Sequence, residues 1–138
     1  MDKKDFKPAV NFTDAELKKK LTPEQYHCTQ EEGTEHPGTG VYNKFYEKGE
    51  YNCVVCGVNL FGSDQKYNSG CGWPAFWGGR TENIVEFRGK SLWMERVEVR
   101  CRNCNAHLGH VFDDGPKDKG GMRYCINSAC MVFDEEKK

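Results

Sequence analysis

"YNCVVCGVNLF", residues 51–61, and "VRCRNCNAHLG", residues 99–109, carry cysteines at the same offsets. In each, the second cysteine is followed by a residue that tolerates a left-handed backbone, Gly57 in one and Asn105 in the other. A leucine comes four residues past that cysteine, Leu60 or Leu108. This is the pattern of two metal knuckles, each a turn that presents two sulfurs. Cys53, Cys56, Cys101 and Cys104 make two C-x-x-C pairs with 44 residues (57–100) between them. Four tetrahedral thiolates suit zinc in a structural site and leave no open coordination position. The expected zinc is a scaffold and not a catalyst. His107, three residues after Cys104, is an alternative ligand, but four cysteines already saturate the ion.

Around these knuckles the pattern is that of a β body. From residue 41 to 133 the chain consists of short aromatic and β-branched segments split by glycines, with no long amphipathic helix. "VEFRGKSLW" (85–93) predicts a hairpin turning at Arg88–Ser91. "ERVEVRC" (95–101) alternates, with Val97 and Val99 on one face. "RYCINSACMVF" (123–133) reads as one strand. Residues 1–30 are expected to be helical and peripheral. "FTDAEL" sets Thr13 and Glu16 as a capping box, with Phe12 and Leu17 at the staple positions. "LTPEQY" repeats the device with Thr22, Pro23 and Gln25, and with Leu21 and Tyr26. Residues 31–40 form a loop, and residues 134–138 a frayed tail.

The chain has 138 residues, 37% hydrophobic and 30% charged, enough for one modest domain. A net charge of −1 supplies no basic field, so nucleic acid is not an expected partner. No apolar run is long enough to span a bilayer, and "MDKKDFKPAV" has no apolar leader core. A monomer in the cytoplasm is expected, or in an organelle if a leader has been removed. Eight cysteines without a secretory signal favour metal binding over a disulfide framework.

Four cysteines remain outside the knuckles: Cys28, Cys71, Cys125 and Cys130. Cys71 lies in "SGCGWPAFW", where flanking glycines make a supple loop and Trp73, Phe76 and Trp77 follow. "AHLGHVFDDGP" holds His107, His110, Asp113 and Asp114. Two histidines three apart do not share one face of a straight strand, so Gly109 is a candidate kink. Each histidine alone reads as structural; together, beside a knuckle, they suggest an active site. In a strand, Arg123, Cys125 and Asn127 share a face. Cys125 is then either a small buried hydrophobe or a thiolate stabilised by the guanidinium. Asn127 is placed to orient a polar substrate group.

"SGCGWPAF", "HLGHVFDDGP" and "RYCINSA", with the two C-x-x-C pairs, closely resemble the peptide-methionine (R)-S-oxide reductases over residues 13–133. The resemblance implies a mainly β fold of two antiparallel sheets, short N-terminal helices, and a zinc staple away from the active site. It implies reduction of methionine (R)-sulfoxide, free or protein-bound, with thioredoxin as electron donor. By that resemblance Cys125 matches the nucleophile, Cys71 the resolving cysteine, and Trp73 the residue packing on the substrate methyl group. His107, His110, Asp114, Arg123 and Asn127 match the polar pocket, whereas Cys28 and Cys130 match no role. The chemistry fits: a sulfoxide needs a soft nucleophile at sulfur and a proton for its oxygen, from His107 or His110. The resulting sulfenic acid condenses with a second thiol. Two other readings compete. A zinc-ribbon binding module would show no thiol oxidised by methionine sulfoxide. A zinc hydrolase would need an open metal position, which four thiolates do not leave.

Overall fold

Each N-terminal helix begins with the reciprocal cap its sequence prescribes. The computed structural model describes residues 6–91 and 94–135. In α1 (Asp14–Lys20) the Glu16 amide donates to Thr13 Oγ1 at 3.2 Å, and the Thr13 amide donates to the Glu16 carboxylate at 3.0 Å. In α2 (Pro23–Gln30) Thr22 and Gln25 exchange the same pair of bonds at 3.2 and 2.9 Å. Such caps satisfy amide groups that no helical carbonyl can reach. Leu17, Leu21 and Cys28 are buried, and Phe12 and Tyr26 pack at the edge of the same cluster. No helix among the described residues is long and apolar enough to cross a membrane.

Two antiparallel sheets follow. The smaller has the order β2–β1–β9, from β1 (Gly49–Cys53), β2 (Asn59–Gly62) and β9 (Met131–Glu135). The larger has the order β3–β4–β8–β7–β6–β5. Its strands are β3 (Lys66–Tyr67), β4 (Ala75–Phe76), β5 (Ile84–Ser91), β6 (Met94–Cys101), β7 (His107–Phe112) and β8 (Arg123–Ile126). Aromatic rings join the two sheets. Phe61 of β2 stacks on Phe76 of β4 at 4.4 Å, and Tyr51 of β1 meets Phe76 edge-on at 5.3 Å. Such pairs contribute about 0.5–1.5 kcal/mol each beyond the area they bury.

Register gives the larger sheet two different faces. Val97, Val111, Tyr124 and Phe76 oppose one another across β6, β7, β8 and β4, and Val111, Tyr124 and Phe76 are buried toward the core. One residue along, Glu98, His110 and Cys125 form the neighbouring row. Because side chains alternate, that row lies on the opposite face. Packing thus occupies one face and polar chemistry the other.

Three sequence expectations need correction. The turn expected at Arg88–Ser91 is strand instead: Arg88 pairs with Val97, Gly89 with Arg96, and Ser91 with Met94. A glycine inside a strand costs only about 0.5–1 kcal/mol, less than abandoning the ladder beyond it. Residues 92 and 93 lie outside the described residues. Next, 123–133 is not one strand. It breaks at Asn127, passes through a 3-10 turn at Ser128–Cys130, and enters the other sheet as β9. Finally, Asp134 and Glu135 of the expected frayed tail pair with Glu50 and Gly49 in β9, while residues 136–138 lie outside the described residues.

Candidate active site

The knuckles are near copies. The Gly57 amide donates to the Cys53 carbonyl at 2.8 Å, and the Asn105 amide to the Cys101 carbonyl at 2.7 Å. Each turn needs a left-handed residue after its second cysteine, and φ is +83° at Gly57 and +66° at Asn105. One knuckle follows β1 and the other follows β6, so their sulfurs meet between the two sheets. Cys53 Sγ lies 3.7 Å from Cys104 Sγ, and Cys56 Sγ lies 3.6 Å from Cys101 Sγ. A regular tetrahedron with metal–sulfur bonds of about 2.3 Å has edges of about 3.8 Å, so the donor set fits a four-thiolate metal site and is consistent with zinc. His107 lies outside this four-cysteine cluster, and its Nδ1 faces the Glu98 carboxylate at 2.6 Å.

On the polar face of the larger sheet lies a cavity of about 320 Å³. Cys125, Arg123 and His110 line it together with Cys71, Trp73 and Asn127. Phe112, Gly109 and Thr34 complete the wall. The Cys71 loop carries left-handed glycines on both sides, Gly70 at φ +74° and Gly72 at φ +95°. It sets Cys71 Sγ 3.1 Å from Cys125 Sγ. Arg123 Nη1 donates to Cys125 Sγ at 2.8 Å, and the same guanidinium grips Asp114 in two bonds of 2.7 and 3.0 Å. Asp114 does not line the cavity; it aims the arginine and raises its pKa further. The close thiol pair shares its proton unequally. The hydrogen bond with Cys125 pulls Cys71 down to about 5, while that bond and burial push Cys125 up against the opposing pull of Arg123.

The two histidines are not equivalent. His110 lines the cavity and stands directly across the strand pair from Cys125. His107 lies behind it, only 2% exposed, its ring edge-on to His110 with centroids 5.6 Å apart. What brings them together is a bulge: Val99 pairs with Gly109 but Arg100 pairs with His107, leaving Leu108 as the extra residue. Gly109, beside this bulge, also allows close approach, since a Cβ there would sit 2.1 Å from the Cys125 carbonyl oxygen. Glu98, 5% exposed, accepts from Arg100 Nε at 2.7 Å as well as facing His107.

Asn127 is only 3% exposed and its amide is engaged at both ends. Its Oδ1 accepts from the Glu35 amide and its Nδ2 donates to the Leu108 carbonyl, both at 3.0 Å. Trp73 Nε1 donates to the Glu35 carbonyl at 3.0 Å. Cys28 and Cys130 are fully buried, the Cys130 thiol donating to the His107 carbonyl at 3.2 Å, away from the cavity. Asp113 is exposed. Sequence reasoning missed Thr34, Glu35, Glu98 and Phe112. Phe112 had a signal, because strand alternation puts it on the face of His110. Glu98 had a weaker one, an acid in the middle of a valine-rich strand. Thr34 and Glu35, in a loop, had none.

The SelR domain family matches residues 21–135. This chain belongs to the SelR family. Several relatives that this chain resembles are named methionine sulfoxide reductases of the B type. The peptide methionine sulfoxide reductase MsrB of Burkholderia thailandensis is 52% identical, over 88% of this chain and 85% of the relative. A protein of Caenorhabditis elegans described as a probable methionine-R-sulfoxide reductase B is 53% identical, over 88% and 81%. Methionine-R-sulfoxide reductase B1 of Drosophila melanogaster is 52% identical, over 96% and 69%. The fold extends beyond SelR proteins: the crystal structure of the Mis18 "Yippee-like" domain superposes with a TM-score of 0.50 at 15% identity, covering 67% of this chain and all of that domain. That likeness concerns the fold alone. In this SelR chain the matched span contains both knuckles and every residue that lines the cavity.

Proposed function

We propose that the protein reduces methionine (R)-sulfoxide, free or in proteins, to methionine, and that thioredoxin recycles it. The observation that carries this reading is the sulfur of Cys125, set in a cavity against a guanidinium on one side and a second thiol on the other. Relatives at 52–53% identity bear the name of that activity.

Cys71 must draw back for a substrate sulfur to reach Cys125. Its withdrawal removes the leading cause that raises the Cys125 pKa, and Arg123 remains to hold the thiolate. The thiolate then attacks the sulfoxide sulfur. His110, across the strand pair from Cys125, donates a proton to the oxygen as the S–O bond yields. Trp73 supplies an apolar wall for the methyl group. The released hydroxide attacks Cys125 Sγ, the new sulfur–sulfur bond breaks, methionine leaves, and Cys125 is left as a sulfenic acid. The Cys71 thiolate attacks that sulfur, the hydroxyl takes up a proton from solvent and departs as water, and a Cys71–Cys125 disulfide forms. Thioredoxin, a dithiol, takes over the disulfide by exchange and returns both thiols. The four-thiolate site takes zinc as a staple between the sheets, and no step passes through it.

The test is a single turnover with Cys125→Ser. A hydroxyl is a poor nucleophile toward sulfur at neutral pH, so methionine formation should vanish while the fold persists. Substantial product from that variant would sink the assignment.

A further inference from the structure

Residues 34–38 touch the active site at four points. Thr34 lines the cavity. The Glu35 amide donates to Asn127 Oδ1, and the Glu35 carbonyl accepts from Trp73 Nε1, each at 3.0 Å. The Gly38 amide donates to the Gly72 carbonyl at 2.7 Å, beside Cys71. Trp73 and Asn127 come from separate parts of the chain, and Glu35 is hydrogen-bonded to both.

The side chain of Glu35 is buried, 4% exposed. Oε1 accepts from the Ala129 amide at 3.0 Å, whereas Oε2 is buried and has no hydrogen-bond partner among the described residues. Burying a half-satisfied carboxylate disfavours folding. The space it occupies is kept open by a missing side chain: a Cβ on Gly40 would lie 2.1 Å from Glu35 Oε2 and 2.3 Å from Ser128 Oγ. A destabilising group held in a space shaped for it points to a role in the site it borders.

We infer that Glu35 is a positioning residue for the substrate pocket: its buried carboxylate pins residues 34–38 to Ala129, and the pinned backbone sets Trp73 and Asn127 relative to each other. The inference rests on the reading that this cavity binds the sulfoxide. Glu35 does not touch the reacting atoms. It acts through the orientation of one apolar and one polar wall, which governs how well the bound sulfoxide is aligned.

Two variants disturb the anchor from opposite sides. Glu35→Ala removes the carboxylate. Gly40→Ala leaves Glu35 in place but fills the space its carboxylate needs. For both, with dithiothreitol as reductant, KM for methionine (R)-sulfoxide should rise roughly tenfold, about the loss of one charge-assisted hydrogen bond. Alkylation of Cys125 by iodoacetamide in a Cys71→Ser background should keep its rate and its pH profile, because Arg123 is untouched. Glu35→Gln, whose amide oxygen still accepts from Ala129, should recover most of the loss. In Trp73→Phe, which lacks the indole N–H, adding Glu35→Ala should raise KM by less than about threefold, the non-additivity of coupled groups.

KM within about twofold of wild type in both anchor variants, or a full undiminished effect of Glu35→Ala on the Trp73→Phe background, would overturn the inference. If Glu35→Ala does not fold, Glu35→Asp, whose shorter carboxylate falls short of the Ala129 amide, replaces it under the same criteria. Wild-type protein that makes no methionine would fail the reading of the cavity, and the inference with it. Normal wild-type turnover with silent anchor variants would fail the inference alone.

Discussion

Replacing Arg123 by methionine should make Cys125 a weaker nucleophile in a way that pH can repair. The guanidinium lies 2.8 Å from the sulfur, and both residues are partly buried. A cation that close favours the charged thiolate, so it lowers the thiol pKa, and removing it must raise the pKa. An opposite charge within about 4–6 Å is worth roughly 1–3 pKa units. A rise of about 2 cuts the thiolate fraction near neutral pH roughly 100-fold. The more basic thiolate is also more reactive, and a Brønsted slope of about 0.4–0.5 returns roughly tenfold. The net loss near pH 7 is therefore on the order of tenfold. The assay is the pH dependence of Cys125 alkylation in a Cys71→Ser background, which removes the thiol that otherwise shares the proton. Arg123→Met should shift the profile to higher pH and equal or exceed its parent once the thiol is fully ionised. Arg123→Lys should fall between the two, since lysine keeps the charge but not the fork that holds Asp114. An unshifted profile in Arg123→Met would refute the electrostatic role of the guanidinium.

Other outcomes follow from the same geometry. The protein should carry about one zinc per chain, and Cys101→Ser should lower thermal stability and metal content before it touches chemistry; a fully folded, metal-loaded variant would contradict the staple. His110→Gln should slow single-turnover reduction by roughly 10²–10⁴-fold and His107→Gln by less, because only His110 lines the cavity; rapid-quench rates for the two decide it, and the reverse order would assign the proton to His107. Cys71→Ser should still form one equivalent of methionine per chain and then stall as a sulfenic acid that a dimedone-type probe traps. Its turnover on thioredoxin should collapse while dithiothreitol rescues it, and normal turnover on thioredoxin would remove Cys71 from recycling.

The parts of this structure that were legible in the sequence are those fixed by short-range chemistry. Two C-x-x-C turns with Gly57 and Asn105 after them could fold in essentially one way, and their hydrogen bonds match almost atom for atom. Capping boxes are equally local, and both helices start where Thr13 and Thr22 place them. Register was harder to read. Gly89 looked like a turn, yet the ladder between β5 and β6 carries through it. "RYCINSACMVF" kept a strand-like composition across a break at Asn127, where the chain changes sheets. The pairing of His107 with Glu98 depends on a bulge at Leu108, and no periodicity announces a bulge. Glu35 was the least visible residue of all. Its partners Asn127 and Ala129 lie 92 and 94 positions away, and only the folded chain brings them together.

The central claim is that Cys125 and Cys71 form the reactive pair. Fully reduced protein, treated with an excess of free L-methionine (R)-sulfoxide and no reductant, tests it most directly through methionine formed, thiols lost and the disulfide mapped by mass spectrometry. One equivalent of methionine per chain should appear, two thiols should be lost, and a Cys71–Cys125 bridge should form, with the four knuckle cysteines and the buried Cys28 and Cys130 unchanged. No methionine, or methionine accompanied by a bridge from Cys125 to a cysteine other than Cys71, would contradict it.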